Sequence, residues 1–176
     1  MTSSQHAGDS EQAYETPWPL VRQLESEIGK PFAIDVAASE ANAKAPSCYT
    51  MQDNGLAQQW SDVSWCNPPY AQQNRWLARG AYFAEEHGIR SVHLVMSATS
   101  ASYWHDLVHT RGFTEFFKGR ISFIDPATGK TRSGTSFASA LVWYGFGRLP
   151  SGGYRFRDAN SWRIIGDAQV EMDLFT

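Results

Sequence analysis

From Thr16 to Gly29 the chain reads TPWPLVRQLESEIG, with Leu20, Val21, Leu24 and Ile28 spaced three and four residues apart. That period puts them on one face of a helix, with Thr16 as its N-cap, Pro17 at the first helical position and Gly29 as its stop. PFAIDVAAS then forms a short apolar run, which predicts a buried strand ending at Asp35 and a loop of small residues after it. DVSWC predicts a second strand, broken at once by Asn67, Pro68, Pro69 and Tyr70. Two adjacent prolines remove two backbone donors and fix two φ angles, so the break is a rigid corner. QQNRWLARGAYFAEEHG returns to helical spacing and stops at Gly88, IRSVHLVMS predicts a strand, and SYWHDLVHTRG a short helix. TEFFKG, RISFID and SFASALVWYGF read as strands, with PATGKTRSG as a turn-rich connection. Strands alternate with helices early and cluster late, the pattern of a mainly parallel α/β sheet with an antiparallel C-terminal end. In such sheets ligands bind beyond the carboxyl ends of the strands, and Asp35 and Asn67 both fall at predicted strand ends, where one crevice can hold both.

Composition sets the scale. The 176 residues are 42% hydrophobic and 14% aromatic, enough for one domain with a substantial core. The polar first residues predict a disordered tail over 1–13, ahead of a domain over 14–148 and a C-terminal extension over 149–176 packed on it. No apolar run has membrane-spanning length and the N-terminus has no signal pattern, so a soluble, cytoplasmic protein is expected. Cys48 and Cys66 form no Cys-x-x-Cys pair and are expected as buried thiols.

The net charge of −3 conceals an asymmetry: residues 1–110 sum to −6, residues 111–163 to +6. Arg111, Lys118, Arg120, Lys130, Arg132, Arg148, Arg155, Arg157 and Arg163 supply the basic stretch, which either tracks a phosphate backbone or is a solvated surface. HDLVH puts His105 and His109 on one helical face with Asp106 between them, as in zinc hydrolases, but no third ligand has a fixed position, so no metal is expected.

The corner itself points to chemistry on an amine. The exocyclic amine of a planar base is a poor nucleophile because its lone pair is delocalised into the ring. Acceptors that hold its N–H bonds favour a more pyramidal nitrogen, and the Asn67 side-chain oxygen and the Pro68 carbonyl can be those acceptors. Pro68 and Pro69 keep them stiff, and Tyr70 can stack on a base drawn out of its duplex.

Asn67-Pro68-Pro69-Tyr70 resembles the catalytic signature of S-adenosylmethionine-dependent amino methyltransferases. From about Thr16 to Tyr144 the chain is similar to the small phage-type DNA N6-adenine methyltransferases. Thr16-Pro17, DVAAS from Asp35, DNGLAQQW from Asp53, the corner, FKGRISF and FASALVWY follow in the order of that family. The resemblance implies a Rossmann-like methyltransferase sheet, S-adenosyl-L-methionine as cofactor, DNA as partner, and the cytoplasm of a bacterial or phage-infected cell. It implies Asn67, Pro68, Pro69 and Tyr70 as catalytic residues, and Thr16, Pro17, Asp35, Ala37 and Asp53 or Asn54 as the cofactor pocket. In that pocket the helix start would offer free backbone amides to the cofactor's carboxylate and Asp35 would accept from its amino group. Lys118, Arg120, Lys130 and Arg132 are the expected DNA contacts. The alternatives are a DNA-binding module without catalysis, a degenerate methyltransferase and, further off, a zinc hydrolase.

Overall fold

Pro17 and Pro19 decide how the first helix begins. In the computed structural model, which describes residues 15–125, 128–132 and 135–167, helix α1 spans Trp18–Ile28 with Pro17 as an extended N-cap. The start therefore falls one residue later than a Thr16 cap requires, and Thr16 is buried just outside the helix. Leu20, Val21 and Leu24 are fully buried on the predicted face. Gly29 ends the helix at φ 82°, a left-handed value that glycine reaches without strain, and its N–H bonds the Glu25 carbonyl. The tail expected over 1–13 lies outside the described residues, as do 168–176 of the expected extension.

The strands follow as β1 (Ile34–Asp35), β2 (Ser47–Cys48), β3 (Ser64–Cys66), β4 (Ser91–Met96), β5 (Phe113–Lys118), β6 (Phe123–Ile124), β7 (Thr131–Arg132), β8 (Ser139–Tyr144), β9 (Tyr154–Asp158) and β10 (Ile164–Asp167). Helix α2 (Gln73–His87) joins β3 to β4, and a π-helical segment, Trp104–His109, precedes β5. Eight strands make one sheet in the order β10-β9-β5-β8-β4-β3-β1-β2, while β6 and β7 form a separate hairpin. The pairs β1–β2, β1–β3, β3–β4 and β5–β9 are parallel; β8 runs antiparallel between β4 and β5, and β10 is antiparallel to β9. The mainly parallel α/β sheet with antiparallel strands toward the C-terminal end is therefore present. β8 is buried at every position and β4 at all but its last, which is why both read as continuous apolar runs.

Two features fix α2 on this sheet. A Cβ at Gly80 would lie 2.3 Å from Nε2 of His93 on β4, so the helix seats there only with glycine. The His93 ring is wholly buried, lies 3.0 Å from the Ser91 hydroxyl through Nε2, and is held neutral by burial, which lowers its pKa to about 3.

The C-terminal residues are part of the sheet. YRFRD forms β9 alongside β5, where Arg155 and Arg157 find one carboxylate on β5, Glu115, and one on α1, Glu27. Arg157, fully buried, donates to Glu115 (2.5 Å), to both oxygens of Glu27 (2.9 and 2.7 Å) and to the Trp162 carbonyl (2.6 Å). Arg155 also donates to Glu115, through Nε at 2.7 Å and through a guanidinium NH2. The basic stretch is thus partly an internal complement to acidic side chains: Arg155 and Arg157 are spent on Glu115 and Glu27, and Arg111 on Glu85. Substituting Glu115 with alanine leaves two guanidiniums without their central acceptor, and a buried ion pair broken on one side costs about 3–5 kcal/mol. Urea unfolding of Glu115→Ala is expected to show a loss of that size and Glu115→Gln a smaller one; equal stability of all three proteins would contradict this role.

Candidate active site

The parallel pairing of β1 with β3 sets Asp35 opposite Trp65, so the chain leaves both strands on the same carboxyl edge. A recess there is lined by Glu15, Thr16, Asp35, Ala37, Lys44 and Asn67, among others. The structure thus brings together four of the residues singled out from the sequence: Thr16, Asp35, Ala37 and Asn67. It adds two that sequence reasoning missed, Glu15 and Lys44. Pro17 caps α1 beside them.

Asp35 is 3% exposed, and among the described residues its carboxylate is met by backbone donors only: the N–H of Ala37 at 3.3 Å and of Lys44 at 3.0 Å. Burial pushes its pKa up to about 6 against the downward pull of those two amides and the Lys44 charge. The Lys44 ammonium, itself 2% exposed, pairs with Glu15 and lies 4.6 Å from the centre of the Trp18 ring. Glu15 is pinned in turn by a two-way backbone bridge to Ile124, with both N–H···O distances 3.0 Å. One short circuit of contacts therefore runs around the recess, from the β6–β7 hairpin through Glu15 and Lys44 to Asp35.

The start of α1 offers fewer free amides than a Thr-Pro opening implies. Pro17 and Pro19 have no N–H, and the Leu20 and Val21 amides both turn back to the Pro17 carbonyl, at 3.1 and 3.4 Å. Among the described residues, the Trp18 amide is the one N–H of the first turn without an acceptor. Thr16 has a different contact: its hydroxyl accepts from the Asn67 side-chain NH2 at 3.2 Å.

The corner is held from both sides. Pro68 is buried, Asn67, Pro69 and Tyr70 are half-buried, and a 3₁₀ turn at Tyr70–Gln72 leads into α2. The buried Gln73, first residue of α2, receives the Met96 amide at 3.0 Å and donates to the Met96 carbonyl (3.2 Å) and the Tyr103 hydroxyl (2.6 Å). It ties the corner to the carboxyl end of β4. The Tyr70 ring rests edge-on against Phe137, 4.5 Å between centres and 68° between planes.

The DNGLAQQW stretch becomes a loop folded against the end of β1. A Cβ at Gly55 would come within 2.1 Å of the Val36 carbonyl, so only glycine allows the approach. Trp60 anchors the loop, donating its indole N–H to the Gly55 carbonyl at 2.9 Å and stacking on Phe83. Asp53 and Asn54 are both exposed, and Asn54 has φ 53°. The Asp53 carboxylate closes a local turn by accepting from the Thr50 amide and hydroxyl, bonds that lower its pKa.

Lys118 ends β5, Arg120 follows it, and Lys130 sits on the hairpin; all three are exposed. Arg132 belongs to β7, and its side chain lies outside the described residues. Cys66 is buried as expected, whereas Cys48 is half-buried. His105 and His109 are exposed with ring centres 6.4 Å apart, and among the described residues no three His, Cys, Asp or Glu side chains gather to hold a metal.

A sheet of this topology with its recess at the carboxyl edge is an α/β methyltransferase fold. More particularly, the profile of the DNA N-6-adenine-methyltransferase (Dam) family matches residues 3–151, and the chain belongs to that family. A DNA N-6-adenine-methyltransferase of Escherichia phage T1 is 25% identical over 146 residues, 73% of this chain. The chain spans 60% of the length of that relative.

The Asp35 pKa has a measurable consequence. Between the ordinary aspartate range and about 6 the folded protein keeps a proton that the unfolded chain releases. Stability from this group is therefore complete below about pH 4 and is lost as the pH rises through 6. Measured by urea unfolding, wild type is expected to lose about 2 kcal/mol relative to Asp35→Asn between pH 4 and pH 7. A difference that does not change with pH would overturn this description.

Proposed function

We propose that the protein transfers a methyl group from S-adenosylmethionine to the N6 amine of adenine in DNA. The observation that carries this reading is the shared recess: the Asn-Pro-Pro-Tyr corner and the buried Asp35 open on the same carboxyl edge. The donor set fits the amino-acid end of such a cofactor. Asp35 and Glu15 are acceptors for an ammonium group, and the Lys44 ammonium is a partner for a carboxylate. The enclosed volume of about 40 Å³ admits a charged group and not a nucleoside, so the rest of the cofactor belongs along the open edge, near Ala37 and the loop of Asp53 and Asn54. When bound, S-adenosylmethionine supplies an electrophilic sulfonium methyl, and no metal is needed.

The protein's task is alignment. Thr16 engages the Asn67 amide through its nitrogen, so accepting from the adenine amine falls to the Asn67 oxygen, with the Pro68 carbonyl as second acceptor. Gln73 and the two prolines keep these groups from reorganising as positive charge develops on the amine. Tyr70, backed by Phe137, supplies a face for the extruded base. Lys118 is three strand spacings across the sheet from Asn67, about 14 Å, and three residues, about 10 Å, further along it, about 17 Å in all, within the width of a duplex lying over the edge. The hairpin carrying Lys130 and Arg132 is tied to Glu15 and so emerges beside the recess.

Incubation with DNA and labelled cofactor, followed by nucleoside analysis, tests this reading directly. Asn67→Ala is expected to lower the transfer rate on the order of 10²-fold or more, with cofactor affinity in calorimetry unchanged. Near-normal transfer in that variant would overturn the mechanism. Replacing Lys130 and Arg132 with glutamine is expected to weaken binding to all DNA sequences alike. It should also flatten the dependence of log K on log salt by about 0.9 per lost phosphate contact; an unchanged slope would remove the hairpin from the interface.

A further inference from the structure

A second cavity, about 470 Å³, opens at the opposite, amino edge of the sheet. Its wall residue Trp143 stands on the same cross-strand row as Trp65 of the recess, two strand spacings or about 10 Å away, and from there the cavity opens toward Arg90, away from Asn67. Its size falls in the range of small-molecule sites. Ile28, Trp143, Phe146, Leu149 and Ile164 make it largely apolar. Trp143 and Phe146 meet edge to face, 5.1 Å between ring centres, and the buried Trp143 indole N–H has no hydrogen-bond partner among the described residues.

The charges on its rim are unequal in what they leave over. Arg90 is held by both oxygens of Asp62, at 2.9 and 2.7 Å. Arg155 and Glu27 belong to the ion-pair network that includes Arg157 and Glu115, where two positive and two negative charges balance. Arg148 is exposed and makes no ion pair among the described residues. The cleft therefore offers apolar walls and one unmatched guanidinium.

We propose that this cleft is a ligand site separate from the recess, and that it takes a planar, apolar-bodied monoanion of the aromatic carboxylate class. Arg148 binds the carboxylate, and the ring lies against the Trp143–Phe146 wall. A polyphosphate would bring more negative charge than one free arginine offsets, and would meet Glu27 on the rim. A neutral ring would leave Arg148 unanswered.

Calorimetric titration with 2-naphthoate and with its neutral counterpart 2-naphthamide tests the assignment on the full chain. Wild type is expected to bind 2-naphthoate saturably at one site and 2-naphthamide about tenfold more weakly, the size of a lost charge-assisted hydrogen bond. Arg148→Gln, a change at an exposed position, is expected to reduce naphthoate to the amide's level with an unchanged melting temperature. Excess S-adenosylmethionine is expected to leave naphthoate binding intact. No saturable binding, equal affinity for the amide, undiminished binding in Arg148→Gln, or displacement by S-adenosylmethionine would each overturn the proposal.

Discussion

Arg157 carries a guanidinium to a place that water does not reach, and its position there depends on Glu115 and Glu27. Glu115 lies on β5, in the middle of the sheet, and Glu27 near the end of α1. The same helix begins beside Thr16, whose hydroxyl holds the Asn67 amide. One helix is thus tied to the sheet near both ends, by an ion-pair network at its C-terminus and by contacts of the recess at its N-terminus. Ion pairs that are buried contribute little against an apolar replacement but are costly to break on one side. Their value here is one of placement: they dock β9 beside β5 and leave α1 few ways to lie, which in turn leaves Thr16 few places to be.

This network also explains what the charge pattern along the chain means. A stretch of nine basic residues reads from the sequence as a surface for phosphates, because exposed clusters of like charge and internal partners of distant acids have the same composition. Arg111, Arg155 and Arg157 turn out to answer Glu85, Glu27 and Glu115, whereas Lys118, Arg120 and Lys130 remain exposed. Alternation in YRFRD held the clue, since a strand with aromatic residues on one face and arginines on the other must put the arginines somewhere. Period alone does not say which face is inside, and arginine is a poor guess for an interior side chain.

The elements that depend on local spacing were legible: α1, α2 and their glycine stops, the buried runs of β4 and β8, and the corner at Asn67. The parallel order of β1 and β3 followed from the alternation of strands and helices, and with it the meeting of Asp35 and Asn67 at one edge. Long-range contacts had no such signal. Lys44 and Glu15, 29 residues apart, are joined only by the fold, and so are Gln73 and Met96. Gly55 was visible as part of a motif, but its reason, an approach to the Val36 carbonyl that no Cβ tolerates, exists only in three dimensions.

Asp35 shows how the two halves of the structure bear on each other. A carboxylate buried among backbone amides, with the nearest ammonium already committed to Glu15, is less stable ionised than it would be in water, and its pKa near 6 records that. Stability alone would favour an apolar residue or a neutral amide at the end of β1. A carboxylate there becomes favourable when a positive group enters the recess and restores the charge balance that folding removed. The ion-pair network under β9 is the opposite arrangement, with every buried charge answered within the chain. Set side by side, they separate charges that hold the fold from one that is held in reserve, and the reserve lies beside the corner that presents Asn67.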